Sequence, residues 1–163
     1  MIISISDIGQ LTETLRKKNK RVVFTNGVFD VIHRGHIEYL GRSKEFGDIL
    51  IVGINSDSSV KRLKGDGRPL NCQEDRLIVL DCLKPVDYTV LFDKDTPYEL
   101  IQLIMPDVLV KGGDYDCAIT DSRDKKYIVG SDIVKKSGGS VVTVDLVPGR
   151  SSTSTIKKIR EKE

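Results

Sequence analysis

The two histidines of this chain, His33 and His36, lie three residues apart in the segment TNGVFDVIHRGHIEYL. They follow a short apolar run, Val22 to Phe24, that is typical of a buried strand, and a stretch with helical spacing comes after them. In open α/β sheets, ligands bind just beyond the carboxyl ends of the strands. Two imidazoles beside a helix amino end can donate hydrogen bonds to phosphate oxygens. The pair therefore predicts a phosphate-binding site.

Small and polar residues surround the histidine pair. A glycine directly after a strand permits a tight turn and close approach of a ligand to the backbone, and a second glycine leaves space beside both imidazoles. No cysteine or acidic group with ligand spacing accompanies the histidines, although Asp30 is near, so we do not predict a metal site here. The residues that we expect to line this phosphate site are Asn26, Gly27, Phe29, Asp30 and Gly35.

Basic side chains on a glycine-containing loop form a second candidate site. Lys64 and Arg68 lie in the segment LKGDGRP, after the second predicted strand and helix. A cationic loop can close over phosphates, and arginine can bind them in bidentate fashion. An exposed turn with solvated charges is an equally good interpretation of these residues alone. Arg76, at the start of an otherwise apolar helix, either reaches the phosphates or pairs with Asp75 or Glu74.

Lys111, Gly112, Gly113 and Asp114 directly follow the fourth predicted strand. Two consecutive glycines would let a nucleoside lie against bare backbone, and the carboxylate can accept from ribose hydroxyls or from a base amino group. A β-turn with a solvated lysine is the structural alternative.

Three hydroxyl residues near the carboxyl end, Ser151, Ser152 and Thr153, precede a predicted helix. Hydroxyls and free amides at a helix amino end predict a second contact with phosphate. Simple N-capping is the alternative, and both roles can hold together.

Apolar runs and helix signals alternate along the chain, which predicts a doubly wound, Rossmann-like α/β fold with a parallel sheet and helices on both faces. Because the runs lack polar alternation, we expect strands that are buried on both faces. We find no repeat or linker and therefore predict one domain over residues 1–163. The five predicted strands are Val22 to Phe24, Ile49 to Ile54, Thr89 to Phe92, Val108 to Val110 and Val141 to Val144.

Three helices and one loop have specific signals. Ile8, Leu11 and Leu15 have helical spacing, and Thr96-Pro97-Tyr98-Glu99 is typical of a helix start, with Pro106 ending that helix. A third helix, Asp75 to Leu83, is apolar nearly all round, so we predict that it is well buried and that Cys82 within it is buried too. The polar, aperiodic stretch Tyr115 to Lys126 is predicted to be an exposed loop.

Bulk composition excludes several classes of protein. With 39% hydrophobic and 31% charged residues and a formal net charge of +2, the chain is predicted to be globular and not to bind nucleic acid. The basic run Arg16 to Arg21 is interpreted as a solvated helix end. No apolar run is long enough to span a membrane, and we identify no signal peptide, so we expect a cytoplasmic protein. Three cysteines without C-x-x-C spacing predict neither disulfides nor zinc.

The segment GVFDVIHRGH resembles the signature of the cytidylyltransferase-like nucleotidylyltransferase superfamily. The similarity continues through nearly the whole chain from Arg21 and is closest to the adenylyltransferase half of the bacterial heptose kinase/adenylyltransferases. The histidine signature alone indicates only the superfamily, whereas the resemblance of LKGDGRP together with VLVKGGDY is far more specific to the heptose branch. The segments that carry this resemblance are NSDSSVKRLKGDGRPLN, EDR, VDYTVLFDKDTP, PDVLVKGGDY, IVGSDIVKKSGGSVVTV and PGRSSTSTIKKI.

The resemblance implies that ATP and D-glycero-β-D-manno-heptose 1-phosphate react to give ADP-heptose and pyrophosphate. It further implies that His33, His36 and Lys64 act in catalysis, that Mg²⁺ is bound mainly through the ATP phosphates, and that the protein forms a homodimer.

Other functions stay open at this point. The same chemistry with CTP and glycerol 3-phosphate, or with GTP and a heptose phosphate, is the nearest alternative. A non-catalytic nucleotide sensor is another. An NAD-dependent oxidoreductase is disfavoured because the first turn lacks G-x-G-x-x-G.

Overall fold

The computed structural model describes residues 1–145 together with 147, 149, 152, 155, 156 and 158. Ser151 and Thr153, two of the predicted phosphate-binding residues, lie outside the described residues. Within the described part of the chain, six strands form one sheet in which every pairing is parallel, in the order β1-β4-β3-β2-β5-β6. The strands are β1 (Ile2–Ile3), β2 (Val22–Gly27), β3 (Ile49–Asn55), β4 (Tyr88–Phe92), β5 (Val108–Gly112) and β6 (Ser140–Val144).

Helices cover both faces of the sheet, which confirms the doubly wound α/β prediction. Successive strand residues point to opposite faces, so Val23 and Phe24 of β2 belong to two different apolar clusters. The cluster around Phe24 contains Ile8 of the first helix and Leu100 of the fifth. The other cluster contains Leu40 of the second helix and Leu80 of the fourth. The helices are α1 (Ile8–Lys17), α2 (Arg34–Lys44), α3 (Asp57–Lys64), α4 (Gln73–Asp81), α5 (Tyr98–Ile104) and α6 (Ser131–Lys136).

The strand order reverses at β2, which places the histidine pair at the centre of the molecule. From β2 the chain builds β3 and β4 outward on one side and then crosses to β5 on the other side. A crevice opens at such a reversal, outside the carboxyl ends of the strands, because the adjoining connections run to opposite faces of the sheet. The loop between β2 and α2, which carries His33, therefore faces this crevice.

The five predicted strands are all present, and the structure adds a sixth. The extra strand, β1, pairs Ile2 with Thr89 at the edge of the sheet. With two residues it is too short to produce a periodic signal. The polar stretch from Tyr115 to Lys126 contains neither helix nor strand, as predicted. Among the described residues, none of the helices has the length and apolar character needed to cross a membrane.

The predicted burial of α4 is wrong. Ile78 and Val79 are 56% and 45% exposed, and Cys82 is exposed as well. The helix buries Leu80 and Arg76. It therefore covers the sheet with one face only, and its apolar character on the other face does not reflect burial. Helix α5 also begins one residue later than the capping signal suggested, with Pro97 as its N-cap, and it ends at Ile104.

Candidate active site

A cavity of about 640 Å³ opens at the carboxyl ends of the central strands. It brings together most of the predicted site residues that the structure describes. Those that line it are Asn26, Gly27, Phe29, His33, Gly35, His36, Lys64, Lys111, Gly112, Asp114 and Ser152. Within the described part of the chain, four other predicted residues do not line it, namely Asp30, Arg68, Arg76 and Gly113.

The two imidazoles are stacked against each other at the amino end of α2. Their ring centroids are 4.0 Å apart, and His33 is the N-cap of the helix. The backbone N–H of His33 donates to Nδ1 of His36 at 3.3 Å. Burial, with a smaller contribution from the neighbouring His33, lowers the pKa of His36 to about 4. At neutral pH the His36 ring is therefore uncharged and, with Nδ1 accepting, carries its proton on Nε2, where it can donate to a ligand.

Phe29 adopts a backbone conformation that places its ring against the histidine pair. Its φ is 51°, in the left-handed region that non-glycine residues seldom occupy. The ring centroid is 5.5 Å from that of His36. A Cβ added at Gly27 would lie 3.0 Å from this ring, so Gly27 makes room for Phe29 as well as lining the cavity. Strained backbone of this kind is concentrated at functional sites, where it orients side chains.

Lys111 places a buried ammonium group against the cavity. The residue is 8% exposed, its Nζ donates to Oδ1 of Asn26, and Nζ lies 5.6 Å from the centroid of the Tyr115 ring. Burial lowers its pKa to about 8, and this effect is partly opposed by the carboxylate of Asp114. Among the described residues, no carboxylate lies within ion-pair distance of Nζ. Lys111 can therefore attract an anion into the cavity.

The carboxylate of Asp30 is used within the protein. Its side chain is fully buried, and it accepts from the backbone N–H groups of Leu70 and Asn71 and from Nε of Arg68 at 2.7 Å. Burial acts to raise the pKa of Asp30, but the two amides and Arg68 outweigh burial and lower it. We expected both Asp30 and Arg68 to contact phosphate. The structure pairs Asp30 with Arg68, which fastens the loop after α3 to the loop after β2.

Arg76, like Asp30 and Arg68, makes its contacts within the protein. The residue is 2% exposed, and it donates to the backbone oxygens of Val28, Asn55 and Asn71 at 2.7, 2.8 and 3.1 Å. Its Nη2 also pairs with the carboxylate of Asp57 at 2.7 Å. Among the described residues, the predicted pairing of Arg76 with Asp75 or Glu74 is not found, and the guanidinium is held by these internal partners. Arg76 holds together the backbone segments that carry the cavity wall.

Three predicted residues lie at the periphery of the site. Lys64 is the exposed last residue of α3 and lines the cavity. Ser152 also lines the cavity, and its hydroxyl donates to the backbone oxygen of Val31 at 3.1 Å. Gly113 does not line the cavity, and it allows the close approach of Asp145, since a Cβ there would lie 3.2 Å from a carboxylate oxygen of that residue.

The cavity also contains residues that we did not single out. They include Tyr39, Asn55 and Leu63, and Asp95 with Thr96 after β4. Asp95 and Thr96 come just after the carboxyl end of a predicted strand, as Lys111 does. That position was the signal that could have identified them, but we interpreted the segment only as the start of a helix.

The chain matches the model of the cytidylyltransferase-like family over residues 24–159. It is 50% identical over 159 residues to the bifunctional protein HldE of Nitratiruptor sp. and 52% identical over 158 residues to that of Campylobacter concisus. These alignments cover 98% and 96% of this chain, but 32% and 31% of the relatives. The chain thus spans about a third of the length of the curated relatives that it matches.

Two solved structures resemble the fold. The lipopolysaccharide core biosynthesis protein of Thermoplasma volcanium is 30% identical, with a TM-score of 0.58 over 78% of this chain and 97% of that one. Pantoate-beta-alanine ligase of Francisella tularensis is 15% identical, with a TM-score of 0.63 over 93% of this chain and 68% of that one, and supports the fold alone. With the family match spanning most of the sequence and the histidine pair in the central crevice, the chain belongs to the cytidylyltransferase-like family.

Proposed function

We propose that the protein transfers the AMP moiety of ATP to D-glycero-β-D-manno-heptose 1-phosphate, giving ADP-heptose and pyrophosphate. The observation that carries this proposal is the stacked histidine pair, which shares one cavity with two lysines and the KGGDY loop. The heptose acceptor rests on the resemblance of LKGDGRP and VLVKGGDY to the heptose branch. It also rests on the Thermoplasma relative, which is named as a lipopolysaccharide core biosynthesis protein. The product would supply assembly of the heptose region of a cell-surface polysaccharide.

The reaction is a direct in-line displacement. An oxygen of the sugar phosphate attacks the α-phosphorus of ATP, and pyrophosphate leaves without a covalent enzyme intermediate. Such a reaction depends on positioning and on stabilisation of charge at the phosphoryl oxygens. His33 and His36 hold the triphosphate at the amino end of α2. Nε2–H of the neutral His36 donates to an oxygen that gains charge in the transition state.

Because His36 is neutral, it adds no formal charge to the cavity, whereas two lysines among the described residues do. Lys111 lies buried in the cavity wall and Lys64 is exposed at the end of α3. Both reduce the repulsion between a triphosphate and a sugar phosphate. Among the described residues, no group of three or more His, Cys, Asp or Glu side chains could hold a metal ion. If Mg²⁺ takes part, the ATP phosphates would hold it, and it would neutralise part of their charge.

The acceptor and donor can be tested together by pyrophosphate release. ATP, CTP and GTP are each incubated with heptose 1-phosphate and with glycerol 3-phosphate. We expect pyrophosphate with ATP and the heptose phosphate, in a reaction that needs Mg²⁺. Release from CTP with glycerol 3-phosphate, but not from ATP with the heptose phosphate, would overturn the proposed substrates. Tight nucleotide binding without release from any pair would instead indicate a nucleotide sensor.

A further inference from the structure

One wall of the cavity is left without a role by the proposed mechanism. The histidine pair follows β2, and the KGGDY loop follows β5 on one side of it. On the other side, the ends of β3 and β4 also reach the cavity. The residues that line this wall, here called the β4 wall, are Asn55, Leu63, Asp95, Thr96 and Pro97.

Asp95 is held in a defined orientation at the β4 wall. Its Oδ1 accepts from Nε of Arg62 at 2.6 Å, and Arg62 also donates to the backbone oxygen of Asp93. Within the described part of the chain, the structure records no partner for Oδ2 of Asp95. The adjacent Thr96 is exposed and adds a hydroxyl that can donate or accept. Asp95 lines the cavity with its carboxylate held by Arg62 through one oxygen, so the other oxygen is available to accept a hydrogen bond.

The negative charge of Asp95 decides which part of the substrates fits here. A carboxylate repels phosphate oxygens, so the β4 wall is a poor place for the triphosphate. It is well suited to hydroxyl groups, because a carboxylate accepts strong hydrogen bonds from them. Leu63, which is 47% exposed, and Pro97 supply apolar surface for the carbon atoms of a ring. This combination matches a polyhydroxylated ligand.

We propose that Asp95 and Thr96 bind the hydroxyl groups of the acceptor sugar, with Arg62 as the positioning residue for Asp95. The inference rests on the proposed function, since it assigns the non-phosphate part of the acceptor to the β4 wall. The nucleoside then occupies the opposite side, near the KGGDY loop. The phosphates of both substrates meet between them, beside His33 and His36.

The test is Asp95→Asn, which keeps the side-chain shape and removes the charge. We expect the KM for the acceptor to rise about tenfold or more, because a hydrogen bond to a charged group is replaced by a weaker one. The Kd for ATP, measured without acceptor, should change less than about twofold, as expected for a residue that the nucleotide does not contact. The matched control is Glu99→Gln, since Glu99 is an acidic residue of α5 that pairs with Lys94 and does not line the cavity. It should leave both constants unchanged.

Two results would overturn the inference. One is an acceptor KM that Asp95→Asn leaves unchanged, and the other is an ATP Kd that rises as much as the acceptor KM. A deoxy-sugar acceptor gives a second readout. If the missing hydroxyl is one that these residues bind, Asp95→Asn and Thr96→Val should raise the KM for the deoxy-sugar less than they raise the KM for the full acceptor. Equal sensitivity for every deoxy position would contradict direct contact.

Failure of the proposed function can be recognised separately. Calorimetry with the sugar 1-phosphate and a non-hydrolysable ATP analogue needs no turnover. If the wild-type protein binds the sugar phosphate and Asp95→Asn weakens that binding, the β4 wall is a sugar site even when no pyrophosphate forms. If the wild-type protein turns over the substrates and Asp95→Asn behaves normally, the function stands and this inference is rejected.

Discussion

We expect the buried ammonium group of Lys111 to lower the free energy of unfolding of the ligand-free protein. We expect the same charge to increase the affinity for an anionic substrate. The pKa of Lys111 is lowered from 10.5 to about 8. This difference corresponds to about 3 kcal/mol by which burial disfavours the ammonium form. Between pH 8 and pH 10.5 the unfolded chain retains the Lys111 proton and the folded chain does not. The free energy of unfolding therefore rises with pH across that window, and the full penalty is present below pH 8.

The perturbation that tests this is Lys111→Met, studied by urea unfolding from pH 7 to pH 10.5. The wild-type free energy of unfolding, minus that of the variant, should increase by up to about 3 kcal/mol over this range. Other titrating groups are common to both proteins and cancel in the difference. The control is Lys125→Met, at an exposed lysine of the loop after β5, for which the difference should stay flat. If the difference in free energy of unfolding between wild type and Lys111→Met does not change with pH, the claim that burial disfavours the Lys111 ammonium form is refuted.

The same variant tests the role of the charge in binding. A bound polyanion favours the ammonium form, so the affinity of the wild-type protein for ATP should fall as the pH rises through about 8. In Lys111→Met the affinity should be lower at pH 7 and should lack that part of the pH dependence. Calorimetric titration with ATP measures both. An unchanged affinity in the variant would show that Lys111 does not contact the nucleotide phosphates.

Three other predictions follow from the described residues. His36→Ala should lower kcat about a hundredfold or more with the far-ultraviolet circular dichroism unchanged. Because the pKa of His36 in the free protein is about 4, its contribution to kcat/KM should hold down to about that pH. Arg76→Met should lower the free energy of unfolding, measured in urea, by about 3 kcal/mol or more, because the carbonyl oxygens and the Asp57 carboxylate that Arg76 contacts lose their donor. Arg76→Lys should recover part of this loss. A free energy of unfolding equal to wild type in Arg76→Met would contradict the stabilising role of Arg76. Cys82 should react rapidly with a thiol reagent in the native protein, and Cys117 more slowly, because Cys82 is exposed and Cys117 is only partly so. Protection of Cys82 would contradict the one-sided burial of α4.

The strands and the histidine site were predictable because their signals are local. A strand that is buried on both faces needs a continuous apolar run, and each of the five predicted runs became a strand. His33 and His36 were identifiable because a strand, a turn and a helix start are contiguous in the sequence around them. The edge strand β1 was missed because two residues carry no periodicity.

The roles of the arginines could not be predicted in the same way. Arg68 contacts Asp30 across 38 residues, and Arg76 contacts Val28 across 48 residues. A charged side chain near a phosphate site has the same sequence signature whether it faces the ligand or a neighbouring loop. Burial distinguishes the two cases, and burial depends on how α4 packs on the sheet.

The amino-acid sequence by itself determined the α/β alternation, the positions of the central strands and the place of the H-x-G-H loop directly after the first of them. Each of these depends on residues close together along the chain, whose side chains and backbone preferences act over a few bonds. Only the tertiary structure decided which charges enter the cavity, because distant segments meet there. It turned Asp30, Arg68 and Arg76 toward the protein, left Lys111 facing the cavity, and brought Asp95 from the end of β4 to the same crevice as the histidines.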